Sequence, residues 1–457
     1  MAAQAEPRPA SGSESGLAGY FKFGERGTDL LTEARAGLTT FMVMAYIIFL
    51  NPAILKAAGI DVPAAAAATA LVAGIMTIAM GLVANYPLAL AAGLGINGVV
   101  AFGLVLTRGL TLPGAMGVIV LEGVAVTVLV VVGLREAIMN AVPLALKRSI
   151  GVGIGLFILF IGFVNGGLIV SPQGGVPPVV PVYPTTTAHF VFLIGLAITI
   201  ALYVMKIRAA LILSIAITTV IAIAVGVQPL PSSLTVTPSF ATIGQFNLTE
   251  PFEKLGVLTA LLVIFTIMLT DFFDTMGTAT GVIAEGGMAN PDGSVPGIGR
   301  ILIVDSIAAA AGGAAGISSN TTYIESAAGV ADGARTGFAS VVTGVLFLFA
   351  VFLAPLAGVI PAAATAPVLV IVGYLMFTLV KDIPVSDPEE GIPALLTLIL
   401  MPLTYDITVG IGAGFIAWVF IKVVKGKFSE IHPLMWVVAI AFLVFFGQSW
   451  IQGYIPK

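Results

Sequence analysis

The chain has 457 residues, 58% of them hydrophobic and 9% charged, with a mean hydropathy of +1.11. Nineteen basic and 23 acidic residues, a net charge of −4, cannot clothe a soluble domain of this size, which would carry roughly 25% charged residues. That excludes a soluble enzyme, a disordered chain and a nucleic-acid-binding protein, and makes lipid the solvent for most of the surface. With no cysteine and only His189 and His432, neither in an apolar run, no metal site or cofactor is expected.

Met1 to Gly19 is rich in Ala, Ser, Glu and Pro and reads as a disordered tail without a signal-peptide pattern. Phe21–Ala36 mixes apolar residues with Lys22, Glu25, Arg26, Asp29 and Arg35. It reads either as an amphipathic interfacial helix or as a solvated lead-in. Runs of about 20 apolar residues, the length that crosses a bilayer, then predict spans over Gly37–Leu55, Ala64–Ala84, Leu88–Leu106, Leu112–Leu134, Ser149–Val170, Ala188–Met205 and Ala209–Val227. After a polar loop, Gln228–Lys254, come Leu255–Ala284, Arg300–Ala315, Ile317–Asp332, Gly337–Ala354, Ala364–Val380, Pro388–Tyr405 and Ile407–Lys425. The tail Leu434–Trp450 is a further apolar stretch that either crosses or lies apart.

Seven spans before the loop and seven after it reverse the orientation of the second half, the signature of an inverted-topology repeat. The expected fold class is therefore an all-α polytopic membrane protein of 14 segments in two inverted seven-segment repeats. The chain divides into a cytoplasmic tail and interfacial segment, 1–36; a first repeat, 37–227; an external linker, 228–254; a second repeat, 255–425; and a C-terminal segment, 426–457. With the N-terminus in the cytoplasm, most Lys and Arg residues fall inside and only Lys56, Arg108 and Lys254 fall outside, as the positive-inside rule demands.

The third span of each half breaks early, at Ala91-Ala92-Gly93-Leu94-Gly95-Ile96-Asn97-Gly98 and at Ile317-Ser318-Ser319-Asn320-Thr321-Thr322-Tyr323-Ile324-Glu325. Extended backbone at membrane depth is tolerated only where protein buries it or a cavity is lined by it, so two matched breaks point to a midplane site. Scattered small residues such as Gly151, Gly153 and Gly155 read as helix packing.

Glu122, Asp271, Asp274, Asp305 and Glu325 are acids at membrane depth with no base at the same depth. They must be protonated, hydrogen-bonded or holding a cation. Asp271 and Asp274 share a helical face, and Phe272 and Phe273 between them put an aromatic ring beside a carboxylate, a pairing that suits a flat heteroaromatic ligand. Contact with lipid or a neighbouring helix is the plainer reading of either ring. Glu325 stands near the start of a short helix whose N–H groups face the break, and Asn97 holds the related place in the first half. For Asp305 and Glu122, hydrogen bonding between helices is as good a reading as ligand contact. Nothing meets the geometry of a catalytic site: no HExxH, no strand-borne GxGxxG and no P-loop lysine in Gly293–Gly299.

Gly37–Pro52 (GLTTFMVMAYIIFLNP), Asp271–Thr278 (DFFDTMGT), Thr321–Val330 (TTYIESAAGV) and Met401–Tyr405 (MPLTY) together resemble the bacterial and fungal purine permeases for adenine, guanine and hypoxanthine, a branch of the nucleobase–cation symporters related to uracil and xanthine permeases. The resemblance runs from about Gly24 to Ile431. It implies a core domain (37–134 and 255–354), a gate domain (149–227 and 364–425), and third and tenth segments that are each a short strand plus a half-helix. It further implies that Asp274 and Glu325 bind the base and that Asn97 is the polar residue of the third span; Phe273 and Thr278, close to Asp274 in sequence, complete the candidate substrate-binding set. Backbone N–H groups near Ala92, Gly93, Leu94 and Gly95 and at Ile324 would be donors. Asp305, with Asp271, Asp274 and Glu325, would serve proton coupling.

The chain departs from uracil and xanthine permeases in having Gly277-Thr278 where they carry a histidine near the eighth-span acid, and in lacking their first-span Gln-His pair. Both departures favour the purine branch. The expected function is import of purine nucleobases with H⁺ by alternating access in the plasma membrane. A xanthine or pyrimidine cargo, and Na⁺ in place of H⁺, remain open. Relatives imply a homodimer through the gate domain.

Overall fold

The computed structural model describes residues 16–133, 141–171, 179–229, 237–290 and 294–454, with side chains as far as 447. The tail before residue 16, the end of the span predicted to reach Leu134, and parts of the 228–254 linker and the Gly293–Gly299 loop lie outside the described residues.

Among the described residues nine helical stretches are long and apolar enough to cross a membrane: Leu30–Ala58, Val62–Ala84, Leu112–Val131, Leu144–Asn165, Thr187–Val204, Val257–Glu285, Gly337–Val359, Ala362–Asp382 and Ile407–Val424. Leu94–Thr107, Ala210–Ala224 and Pro433–Gly447 are shorter apolar helices. Ile298–Ala314 and Pro388–Thr404 have 17 residues each, and Ser326–Ala331 has six.

The first long helix begins at Leu30, not Gly37. Asp29 caps it by accepting from the N–H groups of Leu31 and Thr32, and a cap rather than the onset of apolar residues sets a helix start. Glu33 on its first turn is fully buried. Its carboxylate accepts from the backbone N–H groups of Arg335, Thr336 and Ala339, at the start of helix Gly337–Ala350. Phe21 and Phe23 are buried against Phe338. The stretch Phe21–Ala36 is thus anchored to the protein through Phe21, Phe23, Glu33 and Ala36, while Leu30 and Leu31 stay exposed. Span five likewise shifts, to Leu144–Asn165 from the expected Ser149–Val170.

Among the described residues there are four short strands: β1 (Leu90–Ala92), β2 (Ile169–Val170), β3 (Val180–Pro181) and β4 (Asn320–Thr322). β2 and β3 form a small antiparallel pair. β1 pairs antiparallel with β4, placing Leu90 opposite Thr322, Ala91 opposite Thr321 and Ala92 opposite Asn320. Every residue of both strands is buried. The pairing therefore satisfies, across the two breaks, backbone groups that no water could reach. Thr77 reinforces it, exchanging hydrogen bonds with the N–H and C=O of Leu90, and Ser326 Oγ accepts from Ala89 N–H. Each inner strand leads into a helix: β1 into Leu94–Gly98, continued by the π-helical Val99–Thr107, and β4 into Ser326–Ala331.

The helices pack in pairs that join the two halves of the chain: Val62–Ala84 on Gly337–Ala350, Ile298–Ala314 on Leu112–Val131, and Ala362–Phe377 on Leu144–Asn165. Glycines bring backbones together at these seams, as at Gly81 against Gly337 and at Gly155 against Gly373. The C-terminal helix Pro433–Tyr454 packs on Ile407–Val424, with Phe442 buried against Gly412. Its Phe445 reaches Arg108, which stands beside Asp406, the N-cap of Ile407–Val424, whereas the helix starts near the other end of that neighbour. It runs antiparallel to Ile407–Val424.

Candidate functional site

The β1/β4 pair sets the place of the site. Helix Val257–Glu285 passes beside β4 and carries Asp271, Asp274, Thr275 and Thr278. Asp274 is exposed and continues in an exposed stripe, Gly277, Gly281 and Glu285, down to the helix's C-terminal end. Nothing lies within 4 Å of where a Cβ would stand on Gly277 or Gly281. Thr278 is half-buried on the same face. Ile324 is 53% exposed and Glu325, which precedes helix Ser326–Ala331, is half-buried. Two carboxylates and an open strip of backbone thus meet at the end of β4. No Lys or Arg pairs with either acid among the described residues.

Glu325 Oε1 accepts a hydrogen bond from the hydroxyl of Tyr46 at 2.5 Å. Tyr323, two residues before Glu325, donates its hydroxyl to Ala92 C=O and its N–H to Ala89 C=O, so the Glu325 turn is held to β1. The amides of Leu94 and Gly95 open helix Leu94–Gly98, where the first N–H groups have no intrahelical partner. The Gly93 N–H is not such a donor: it is spent on Ser319 C=O at 2.8 Å. Ala92 lies within the strand and is fully buried.

Asn97 is fully buried, and neither its amide oxygen nor its nitrogen has a hydrogen-bond partner. Such an amide keeps its whole capacity for one donor–acceptor pair. Phe273 is placed otherwise than a stacking role needs. Only 9% of it is exposed, it meets Phe272 edge-on, and the Lys147 ammonium sits 5.0 Å from its ring centre. The helix turns it away from the Asp274 stripe.

A second group of acids lies deeper. Asp305 is buried and fully engaged, accepting from Thr275 at 2.7 Å and Thr322 at 2.8 Å. Thr275 in turn shares a hydrogen bond with Thr321 at 2.7 Å. Asp271 and Glu122 are buried, and among the described residues no hydrogen-bond partner meets their carboxylate oxygens. For Glu122 this removes the reading as a hydrogen bond between helices. An ionised carboxylate without a partner is costly in such a place, so these groups stand as protonated acids or hold a cation. Among the described residues no trio of His, Asp or Glu is arranged to hold a metal ion.

Two contributors escaped the sequence reading. Tyr46 sits inside the apolar run of the first span, where a lone phenol was the available signal. Thr275 was visible only as a neighbour of the acids.

A multi-pass helical membrane protein whose two broken segments meet beside unpaired acids has the build of a membrane carrier. Residues 32–413 match the Permease family, and the chain belongs to it, in the purine branch of the nucleobase permeases. It is similar to the guanine/hypoxanthine permease PbuG of Bacillus subtilis, 38% identical over 93% of this chain and 98% of that protein. It is likewise similar to the adenine permease AdeP of Escherichia coli, 38% identical over 93% of this chain and 94% of that one. Among solved structures the transmembrane domain of the cyanobacterial bicarbonate transporter BicA shares the fold, with a TM-score of 0.62 at 15% identity, covering 83% of this chain and 97% of that one. Murine Slc26a9, an anion transporter in the inward-facing state, also does, with a TM-score of 0.62 at 10% identity, covering 92% of this chain and 74% of that one.

Proposed function

We propose that the chain imports purine nucleobases, among them adenine, guanine and hypoxanthine, together with H⁺ by alternating access in the plasma membrane, with its N-terminus in the cytoplasm. The observation that carries the reading is similarity over 93% of the chain to permeases named for adenine and for guanine/hypoxanthine. The site agrees in chemistry. Asp274 and Glu325 are acceptors for ring and exocyclic N–H groups, Asn97 pairs with a donor–acceptor edge, and the Leu94, Gly95 and Ile324 amides are donors for a carbonyl or ring nitrogen. Thr278 lines the same face. Among the described residues no Lys or Arg pairs with Asp274 or Glu325, which speaks against an anion as cargo.

In this reading the fold has 14 segments in two inverted repeats, counting those whose helices are shorter than a full crossing. The packing supports it. Exchanging the halves turns the pairing of segment two with eleven into that of nine with four, and leaves three with ten and five with twelve unchanged. Core and gate domains, and a dimer through the gate, follow the same scheme. Asp274, Glu325, Asp271 and Asp305 carry the coupling proton, which must bind one state more tightly than the other for the gradient to drive movement. The exposed stripe ending at Glu285 faces the cytoplasm, giving an inward-open arrangement.

Labelled hypoxanthine uptake into proteoliposomes with an inward proton gradient tests this, with unlabelled adenine, guanine, xanthine and uracil as competitors. The expected result is gradient-driven uptake blocked by the purines and not by uracil, and lost in Asp274→Asn and Glu325→Gln. Uptake that needs a sodium gradient instead moves the coupling to Na⁺. Wild-type uptake in both variants overturns the site.

A further inference from the structure

Tyr46 touches the site only through Glu325, and the role assigned to it rests on the base-binding role proposed for that acid. Tyr46 lies where the first long helix is interrupted: Leu30–Met44 ends, Ala45 and Tyr46 form a turn, and Ile47–Leu55 resumes. The side chain is fully buried. Inside a packed membrane protein a phenol needs a partner for its O–H, and the one it has is Glu325 Oε1 at 2.5 Å, a residue 279 positions away in the chain. No other acid is bonded to it among the described residues.

We propose that Tyr46 is a positioning residue for Glu325, fixing the carboxylate in one rotamer and leaving Oε2 as the oxygen offered to a purine N–H. A glutamate side chain left free would sample several rotamers and lose that freedom on binding. With Oε1 held from segment one and the backbone on either side of Ile324 held by Tyr323 and by the start of helix Ser326–Ala331, the carboxylate is oriented before the base arrives. The groups facing Glu325 are Tyr46 from segment one, Tyr323 on its own segment and Asp274 from helix Val257–Glu285. Among the described residues Tyr46 is the side chain that donates to it. The same hydrogen bond joins the first segment to the tenth, so proton uptake at Glu325 is felt at the interruption of the first helix.

Tyr46→Phe removes one oxygen and keeps the ring. The expected result in proteoliposomes is a KM for hypoxanthine raised about tenfold with a smaller change in maximal rate, as loss of a charge-assisted hydrogen bond predicts. The pH profile of uptake should also move alkaline by about one unit, because a carboxylate that loses a donor holds its proton more firmly. In a Glu325→Gln background the same substitution should add little, the non-additivity of two residues acting as one unit. Tyr46→Met, with no hydroxyl, repeats the test if the phenylalanine variant does not fold. An unmoved pH profile and KM in a folded Tyr46 variant, with Glu325→Gln inactive, overturns the role of Tyr46 and leaves the base site standing. Wild-type uptake by Glu325→Gln overturns the base site itself.

Discussion

Arg108 and Asp406 form an ion pair at 2.6 Å with their side chains only 12% and 10% exposed, and the guanidinium lies 5.4 Å from the centre of the Phe445 ring. The pair joins the end of the π-helical stretch Val99–Thr107 to the N-cap of Ile407–Val424. Beneath it Tyr405 packs edge-on against Phe102, Phe157 and Phe160. At the end of the fold away from Glu285 these segments are thus tied together by an ion pair and a cluster of rings, and Phe445 of the C-terminal helix lies over Arg108.

A second ion pair, Arg208–Asp332 at 2.6 Å, is open to solvent, with Arg208 60% exposed. Breaking a buried pair by removing one partner costs about 3 kcal/mol or more, because it strands a charge; an exposed pair contributes about 0–1 kcal/mol. Arg108→Ala should therefore lower the melting temperature of the purified protein in detergent by several degrees more than Arg208→Ala. Raising the salt concentration should further shrink the Arg208 effect. Equal losses in the two variants would remove Arg108–Asp406 as a structural tie.

The glycines separate packing from access. A Cβ on Gly81 would collide with the Gly337 carbonyl oxygen, and backbone cannot step aside as a flexible side chain could. Gly81→Ala should destabilise the fold by about 3 kcal/mol through overpacking of that seam. Gly277, one turn beyond Asp274 on the exposed stripe, meets nothing within 4 Å. Gly277→Ala should hold or raise stability, by up to about 1 kcal/mol from helix propensity, while raising the KM for hypoxanthine several-fold by narrowing the approach to Asp274. Thermal unfolding and uptake kinetics on the two variants check this, and a Gly277→Ala protein with unchanged KM removes that face from the base's path.

Glu250 supplies a pH dependence. It lies in helix Glu250–Leu255, between the halves, and receives the Thr111 N–H at 2.8 Å, the Thr111 hydroxyl and the Lys254 ammonium at 2.9 Å. Burial works against its ionisation, but the bonds from Thr111 and Lys254 outweigh it and hold the carboxyl below its ordinary 4.5. A carboxyl depressed in the folded state adds stability above its unfolded value and loses it as pH falls through the folded one. Glu250→Gln should therefore melt earlier than wild type at pH 7, and the gap should close as the pH is lowered below about 4. A gap that persists unchanged to that pH would show that packing, not charge, accounts for Glu250.

Much of the site was legible because lipid makes polar residues expensive. The breaks at Ala91–Gly98 and Ile317–Glu325 stood out against apolar runs, and the structure brings them together as β1 and β4. Asp274, Glu325 and Asp305 stood out in the same way. Phe273 misled because its sequence neighbours say nothing of helix rotation, and a ring adjoining Asp274 in sequence faces Lys147 in space. Glu122, which the sequence left open between a bond across helices and a ligand contact, has no hydrogen-bond partner among the described residues.

By itself the sequence determined the membrane class, the places where segments break and the acids set at those breaks. These follow from solvation, which acts on each residue where it stands. Only the tertiary structure decided that Glu33 caps a helix some 300 residues on, that Tyr46 holds Glu325, and that Arg108 pairs with Asp406. Each of these is a contact between distant segments, fixed by how helices pack and rotate against one another, and no local pattern of residues encodes it.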